Sequence, residues 1–270
     1  MFEKFAKLMT VFVLIFLILP IFIVIPISFS SAQYLTFPPP GFSLQWYKSF
    51  FTDSQWVEAA VKSIEVGVLT TLLSLLLGTM TSIGLVKGNF PGKQAIQNIF
   101  LMPLVVPTII IAIAVYSFQS KTGLIGSALG LVTAHTIMAT PFVIVTVMSS
   151  LSGMDPNLEY ASMTLGASPL QTFLRVTLHV IKPAVASAAL FAFVTSFDEL
   201  VVTLFISGVS VCTLPKKMWD GVRTQVDPTI AAVSSLMIVV VVGVLLANQI
   251  YSMAKGAKRT APADEEVTAE

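Results

Sequence analysis

With 270 residues, 55% of them apolar and only 11% charged, the chain has a mean hydropathy of +0.88 and belongs in a bilayer; ordinary soluble domains carry about 25% charged residues. Its net charge of +1 offers a nucleic acid nothing to hold, and the lone Cys212 excludes an internal disulfide. Six apolar runs are long enough to cross a core of about 30 Å, which needs roughly 20 residues per helix. In chain order they are Leu8–Phe29, Ile64–Val86, Ile99–Phe118, Leu124–Met148, Ala184–Ile206 and Thr229–Ser252.

The first run follows Lys4 and Lys7 and precedes Ser30-Ser31-Ala32, as a cleaved leader would. Its apolar stretch of about 20 residues exceeds the roughly 7–15 of a leader core, which favours a retained span. Ser30 to Gln55, with Pro38-Pro39-Pro40-Gly41 inside it, is too polar and broken to span and is expected to cap an outer mouth. Glu65 lies within helical reach of Lys62, which predicts an interfacial ion pair. Gly88 to Lys93 is one residue short of a phosphate-binding loop and reads as an inner turn, so this chain does not hydrolyse ATP alone. Pro20, Pro103, Pro107 and Pro141 predict kinks rather than breaks, because neighbouring helices can satisfy the freed carbonyls. The Gly126 to Gly130 spacing reads as a helix-packing surface. His135 and His179 have no Cys or carboxylate at metal spacing, and His135 reads as a satisfied packing residue.

Nine Lys and Arg fall in the inner connections against six in the outer ones when the N-terminus is placed inside. That bias puts both termini and the segment Asp155 to Pro183 in the cytoplasm. Trp46, Trp56 and Trp219 then all lie in outer segments, as interfacial aromatics do. The tail after Lys255 turns from basic to acidic with few apolar residues and is expected to be disordered.

Asp155 to Pro183 is a polar island between apolar runs. Asp155 caps a first helix with Pro156 in its first turn, and Gly166 ends it where a left-handed residue is wanted. Ser168 and Gln171 form a capping box around Pro169 and start a second helix. Leu158, Ala161 and Leu165 share one face of the first helix, and Leu170, Phe173, Leu174 and Leu178 one face of the second. A small apolar knob should therefore project from the membrane.

Within that knob, Glu159-Tyr160-Ala161, Gly166-Ala167, Phe173, Leu178 and Pro183 resemble the "EAA" loop of ABC importer permeases. Tyr160 replaces the first Ala of that pattern, and His179 replaces the usual first Pro, which affects the exit angle of the second helix. The resemblance covers roughly Ala60 to Gln249. It implies an all-α fold of the type I importer class with six transmembrane helices. Residues 1–59 then hold the first helix and outer segment, 60–249 the permease core with its coupling loop 155–183, and 250–270 a cytoplasmic tail. Glu159, Ala161 and Gly166 become ATPase-coupling residues, with the Glu159 carboxylate expected on an exposed helix, pairing with a basic group of the ATPase.

The remaining functional signal is a pair of carboxylates, Asp198 and Glu199, in the fifth run, because an ionisable group at membrane depth is costly. Counted from Ala184 at ~1.5 Å per residue, Asp198 lies about 21 Å along the helix, in the outer half of the bilayer. Ser187, Phe191, Thr195 and Asp198 share a stripe, while Glu199 points about 100° away. Thr195, Phe191 and one or both carboxylates are thus candidates to line a pathway, and a hydrogen bond to a neighbouring helix or subunit is the competing role.

Thr195 to Ser235, with SFDELVVTLFISG, TLPKKMWDGVR and DPTIAAVSS, is similar to the second permease of spermidine/putrescine-type importers. The resemblance implies a second, homologous permease subunit, a pair of cytoplasmic ATPases that bind ATP and Mg, and an outer polyamine-binding protein, assembled at the cell inner membrane. It implies no cofactor in this chain. Importers for 4-aminobutyrate, opines and ferric iron carry similar segments and remain alternatives. An ion-coupled secondary transporter would leave the knob without a partner.

Overall fold

A computed structural model describes residues 2–257 apart from 209, 225 and 226, with side chains described from 3 to 243. The chain divides into two compact units, one made of Met1–Asp53 with Gly221–Glu270 and the other of Ser54–Asp220.

In the first unit, α1 (Phe2–Ser28) packs beside α12 (Thr229–Ala257), and α2 (Gln45–Thr52) packs on α12. Phe12, Phe16 and Leu17 of α1 are exposed, as suits a helix bathed in lipid. The segment that follows α1 folds back on the end of that helix through polar bonds. Trp46 Nε1 donates to the Ser30 carbonyl at 2.8 Å, and the Ser28 and Tyr47 hydroxyls meet at 2.7 Å. The tail beyond 257, on which the expectation of disorder chiefly rests, lies outside the described residues.

The second unit is built on three long helices, α3 (Ser54–Lys87), α6 (Ala128–Ser152) and α9 (Leu178–Phe197), in mutual contact. Between them run α4 (Lys93–Leu101), a 3-10 turn, α5 (Thr108–Thr122), and the short helices α7 (Asn157–Thr164) and α8 (Pro169–Thr172). Helices α10 (Val201–Ile206) and α11 (Leu214–Thr224) follow α9. Burial of apolar surface does not drive helices together in lipid, so close approach at small residues must do so. On α3 a Cβ at Gly78 would stand 2.7 Å from Val143, and one at Gly67 2.9 Å from Phe193. Val143 and Ala192 belong to one buried cluster with Ala139, Val147, Ile181 and Ala188. A second cluster joins Val66, Ile111, Leu131, Val202 and Ile206.

Among the described residues, four helical stretches are long and apolar enough to span: Glu3–Ser28, Ser54–Lys87, Ala128–Ser152 and Pro169–Phe197. A fifth arises if Lys93–Leu104 and Thr108–Thr122 count as one span. The structure corrects three expectations. Pro103 and Pro107 break the third run, whose halves differ in direction by 104°, whereas Pro20 and Pro141 sit inside continuous helices. Two prolines four residues apart remove two ladder donors in one turn, more than a kink absorbs. The fifth run, Ala184–Ile206, is likewise two helices, interrupted at residues 198–200. Gly126 has φ +78 and precedes α6, and its N–H donates to the Ile206 carbonyl at 2.8 Å. It forms a turn, so the Gly126 to Gly130 spacing is no helix-packing surface. The turn at Gly92, φ +80, and the Lys62 to Glu65 pair at 2.7 Å agree with the sequence reading.

Candidate functional site

The knob forms as its caps dictate. Asp155 Oδ1 accepts the Asn157 N–H at 2.9 Å, and Gly166 takes φ +88 after α7. The Ser168 hydroxyl accepts from the Gln171 N–H at 3.3 Å, and the Gln171 side chain accepts from the Ser168 N–H at 2.9 Å. That reciprocal pair satisfies two donors at the start of α8. The Ser162 and Thr172 hydroxyls meet at 3.1 Å and tie the two arms together. Leu158, Tyr160, Met163, Leu165, Leu170 and Leu174 are exposed, Leu165 by 89%. Ala161 is exposed on the same helix.

Glu159 does not stand free on this surface. Lys87, the last residue of α3, and Thr177 both donate to its Oε1, and its side chain is only 17% exposed. Partial burial opposes ionisation, but the hydrogen bonds from Lys87 and Thr177 and the Lys87 charge outweigh it and hold the carboxyl below its ordinary value. The expected free docking carboxylate is thus an internal strut. Thr177 closes a π-helical turn, Phe173–Thr177. The wider turn shifts the register of the second arm, so Leu178 packs into the core while Leu174 faces out. His179 is exposed, and α9 continues through Pro183.

Asp198 closes the last turn of α9, its N–H bonded to the Val194 carbonyl at 3.0 Å, so it keeps its place in line with Phe191 and Thr195. Phe191 is 55% exposed and Thr195 half-buried. Asp198 is exposed, and its carboxylate accepts no hydrogen bond from a described residue. Glu199 lies beyond the helix, half-buried, and its Oε1 accepts the Val202 N–H at 2.9 Å, which caps the start of α10. The two neighbours therefore differ in kind: one is open, the other spends its charge on backbone.

His135 is fully buried, with Nδ1 2.9 Å from the Ser196 hydroxyl and Nε2 3.1 Å from the Thr203 hydroxyl. It is the satisfied packing histidine that its lone position suggested. Missing from the sequence reading were Lys87, Thr177, Ser196 and Thr203, whose partners lie far off in the chain. The one available signal was the position of Lys87 at the end of an apolar run.

Residues 71–255 match the family described as the binding-protein-dependent transport system inner membrane component. The spermidine/putrescine transport system permease protein PotC of Haemophilus influenzae is 31% identical over 238 residues, covering 88% of this chain and 92% of that protein. The putrescine transport system permease protein PotI of Escherichia coli is 33% identical over 251 residues, covering 90% and 89%. In fold, the chain resembles a crystallised bacterial ABC transporter involved in import of the acidic polysaccharide alginate. The TM-score is 0.73 at 16% identity, over 93% of this chain and 96% of that one.

Proposed function

We propose that this chain, which belongs to the family of binding-protein-dependent transport system inner membrane components, is the permease subunit of an ATP-driven importer whose cargo is putrescine or spermidine. It is a multi-pass protein of the inner membrane, and the chemistry of ATP belongs to a partner. In this reading α12 supplies the sixth span, the bent pair counts as one, and both termini and the knob face the cytoplasm. The exposed apolar residues of α7 and α8 seat a cytoplasmic ATPase dimer that binds ATP and Mg. A second permease subunit and an outer polyamine-binding protein complete the assembly.

Within that assembly Gly166, Ala161 and Glu159 carry ATPase closure into the membrane helices. The strut from Glu159 to Lys87 and Thr177 supports this, because it links α7 to the inner end of α3 and to the turn that leads into α9. A displacement of α7 is therefore passed to two of the three long helices.

The observation that carries the cargo assignment is Asp198, a carboxylate at a helix break with no protein partner of its own among the described residues. A group of that charge at membrane depth needs a counter-ion, and an amine in transit supplies one. One open carboxylate with Thr195 and Phe191 beside it makes a weak site, which a passing polycation can leave. Glu199 assists by holding the break rather than by meeting the amine. Asp198→Asn keeps the shape and removes the charge, so putrescine uptake should fall while the complex assembles and hydrolyses ATP. Glu199→Gln retains an acceptor for the Val202 N–H and should transport more nearly as the parent does. Normal uptake by Asp198→Asn would refute the role of Asp198.

A further inference from the structure

Besides the Glu199 carboxylate that accepts the Val202 N–H, the break that presents Asp198 is held by a directed chain of hydrogen bonds. Thr203 Oγ1 lies 2.8 Å from the carbonyl oxygen of Glu199, and only the threonine can supply the proton between those two oxygens. Its hydroxyl is thereby committed as a donor, so toward His135 Nε2 at 3.1 Å it must accept. That assignment places the imidazole proton on Nε2 and leaves Nδ1 to accept from the Ser196 hydroxyl at 2.9 Å. The order is Ser196 to His135 to Thr203 to the Glu199 carbonyl. Ser196 lies in the last turn of α9 and Thr203 in α10, so the imidazole, from α6, spans both sides of the break. All three side chains are buried, with Ser196 4% exposed and the other two fully enclosed.

We propose that His135 is a positioning residue for cation transfer, its Nε2 proton fixing the Glu199 backbone through Thr203 and so fixing where Asp198 stands. Asp198 takes no hydrogen bond from another described side chain, so the geometry of the break decides its place. The proposal rests on the reading that Asp198 meets the cation. His135 itself touches no cargo, being sealed from it.

The test uses the assembled importer and amide replacements that separate the two ring nitrogens. Asn reaches the place of Nδ1 and preserves the acceptor for Ser196. Gln reaches the place of Nε2 and preserves the donor to Thr203. His135→Asn and Thr203→Val should raise the KM for putrescine roughly tenfold, the effect of one or two lost neutral hydrogen bonds. The rate of ATP hydrolysis and the amount of complex in the membrane should stay at parent values. His135→Gln should remain within about twofold of the parent, because the committed donor is kept. In a Cys212→Ala, Asp198→Cys background, His135→Asn should also change the rate at which a cationic reagent labels the thiol introduced at the break, whereas His135→Gln should not. Equal effects of Asn and Gln, or a raised KM accompanied by falls in the amount of complex and in ATP hydrolysis, would overturn the proposal and leave a purely structural histidine. Should Asp198→Asn transport putrescine normally, the cargo reading fails on its own, and the rates of thiol labelling at the break still decide whether His135 sets its geometry.

Discussion

The ion pair between Lys87 and Glu159 joins residues 72 apart in sequence, and it should contribute measurably to the knob's order. Lys87→Met removes the charge, Glu159→Gln removes the partner charge while keeping an acceptor for Thr177, and the double variant closes a thermodynamic cycle. The side chains are 37% and 17% exposed, so solvent screens the pair in part. That places its coupling energy near the upper end of the exposed range, about 1 kcal/mol, and the Thr177 bond adds a similar amount. A coupling of ~1 kcal/mol corresponds to roughly fivefold faster hydrogen exchange of the α7 amides in either single variant. The double variant should be little worse than the singles, because the second substitution has no pair left to break. Exchange in the purified importer complex, read at residues 157–164, measures this directly. Strictly additive effects in the cycle, or no change in either single variant, would refute the strut.

The same carboxyl gives a pH dependence whose sign is fixed. Because its folded value lies below the ordinary 4.5, its contribution is fully present above that pH and is lost as pH falls through the folded value; protease resistance of the knob should decline there in the parent and far less in Glu159→Gln. Gly166→Val should strain the knob by ~1–2 kcal/mol, since the residue sits at φ +88. A Cβ there meets no atom within 4 Å, so the loss is one of backbone conformation, to be seen as reduced co-isolation of the ATPase and reduced uptake with normal membrane insertion. In a Cys212→Ala background, Ser168→Cys should resist an impermeant thiol reagent added to intact cells and react once the inner face is opened. Labelling from outside would place the knob on the wrong side.

What the sequence disclosed was local. Asp155, Gly166, Ser168 and Gln171 act on neighbours within three residues or on their own φ, so their effects could be read from spacing. The apolar runs disclosed where helices lie but not where they stop. Ala184–Ile206 looks continuous because Asp198 and Glu199 interrupt its hydropathy for only two positions, and the break depends on His135, more than sixty residues earlier. Pro103 and Pro107 were visible as helix disruptors. Whether two such residues bend or sever a span depends on what packs around them, and that is not written in the run itself. Glu159 was found by its motif, and its inward turn toward Lys87 was not, since nothing local distinguishes a carboxylate that docks from one that braces.

If this chain forms the membrane path of an ATP-driven polyamine importer, uptake of labelled putrescine into proteoliposomes that hold the complete complex, with the binding protein outside and ATP supplied to the ATPase face, shows it most directly. Accumulation that requires ATP, the binding protein and this chain together, and that falls in Asp198→Asn while ATP hydrolysis persists, is the expected result. Uptake that proceeds without ATP on an ion gradient alone, or a complex that moves only anions, would contradict the account.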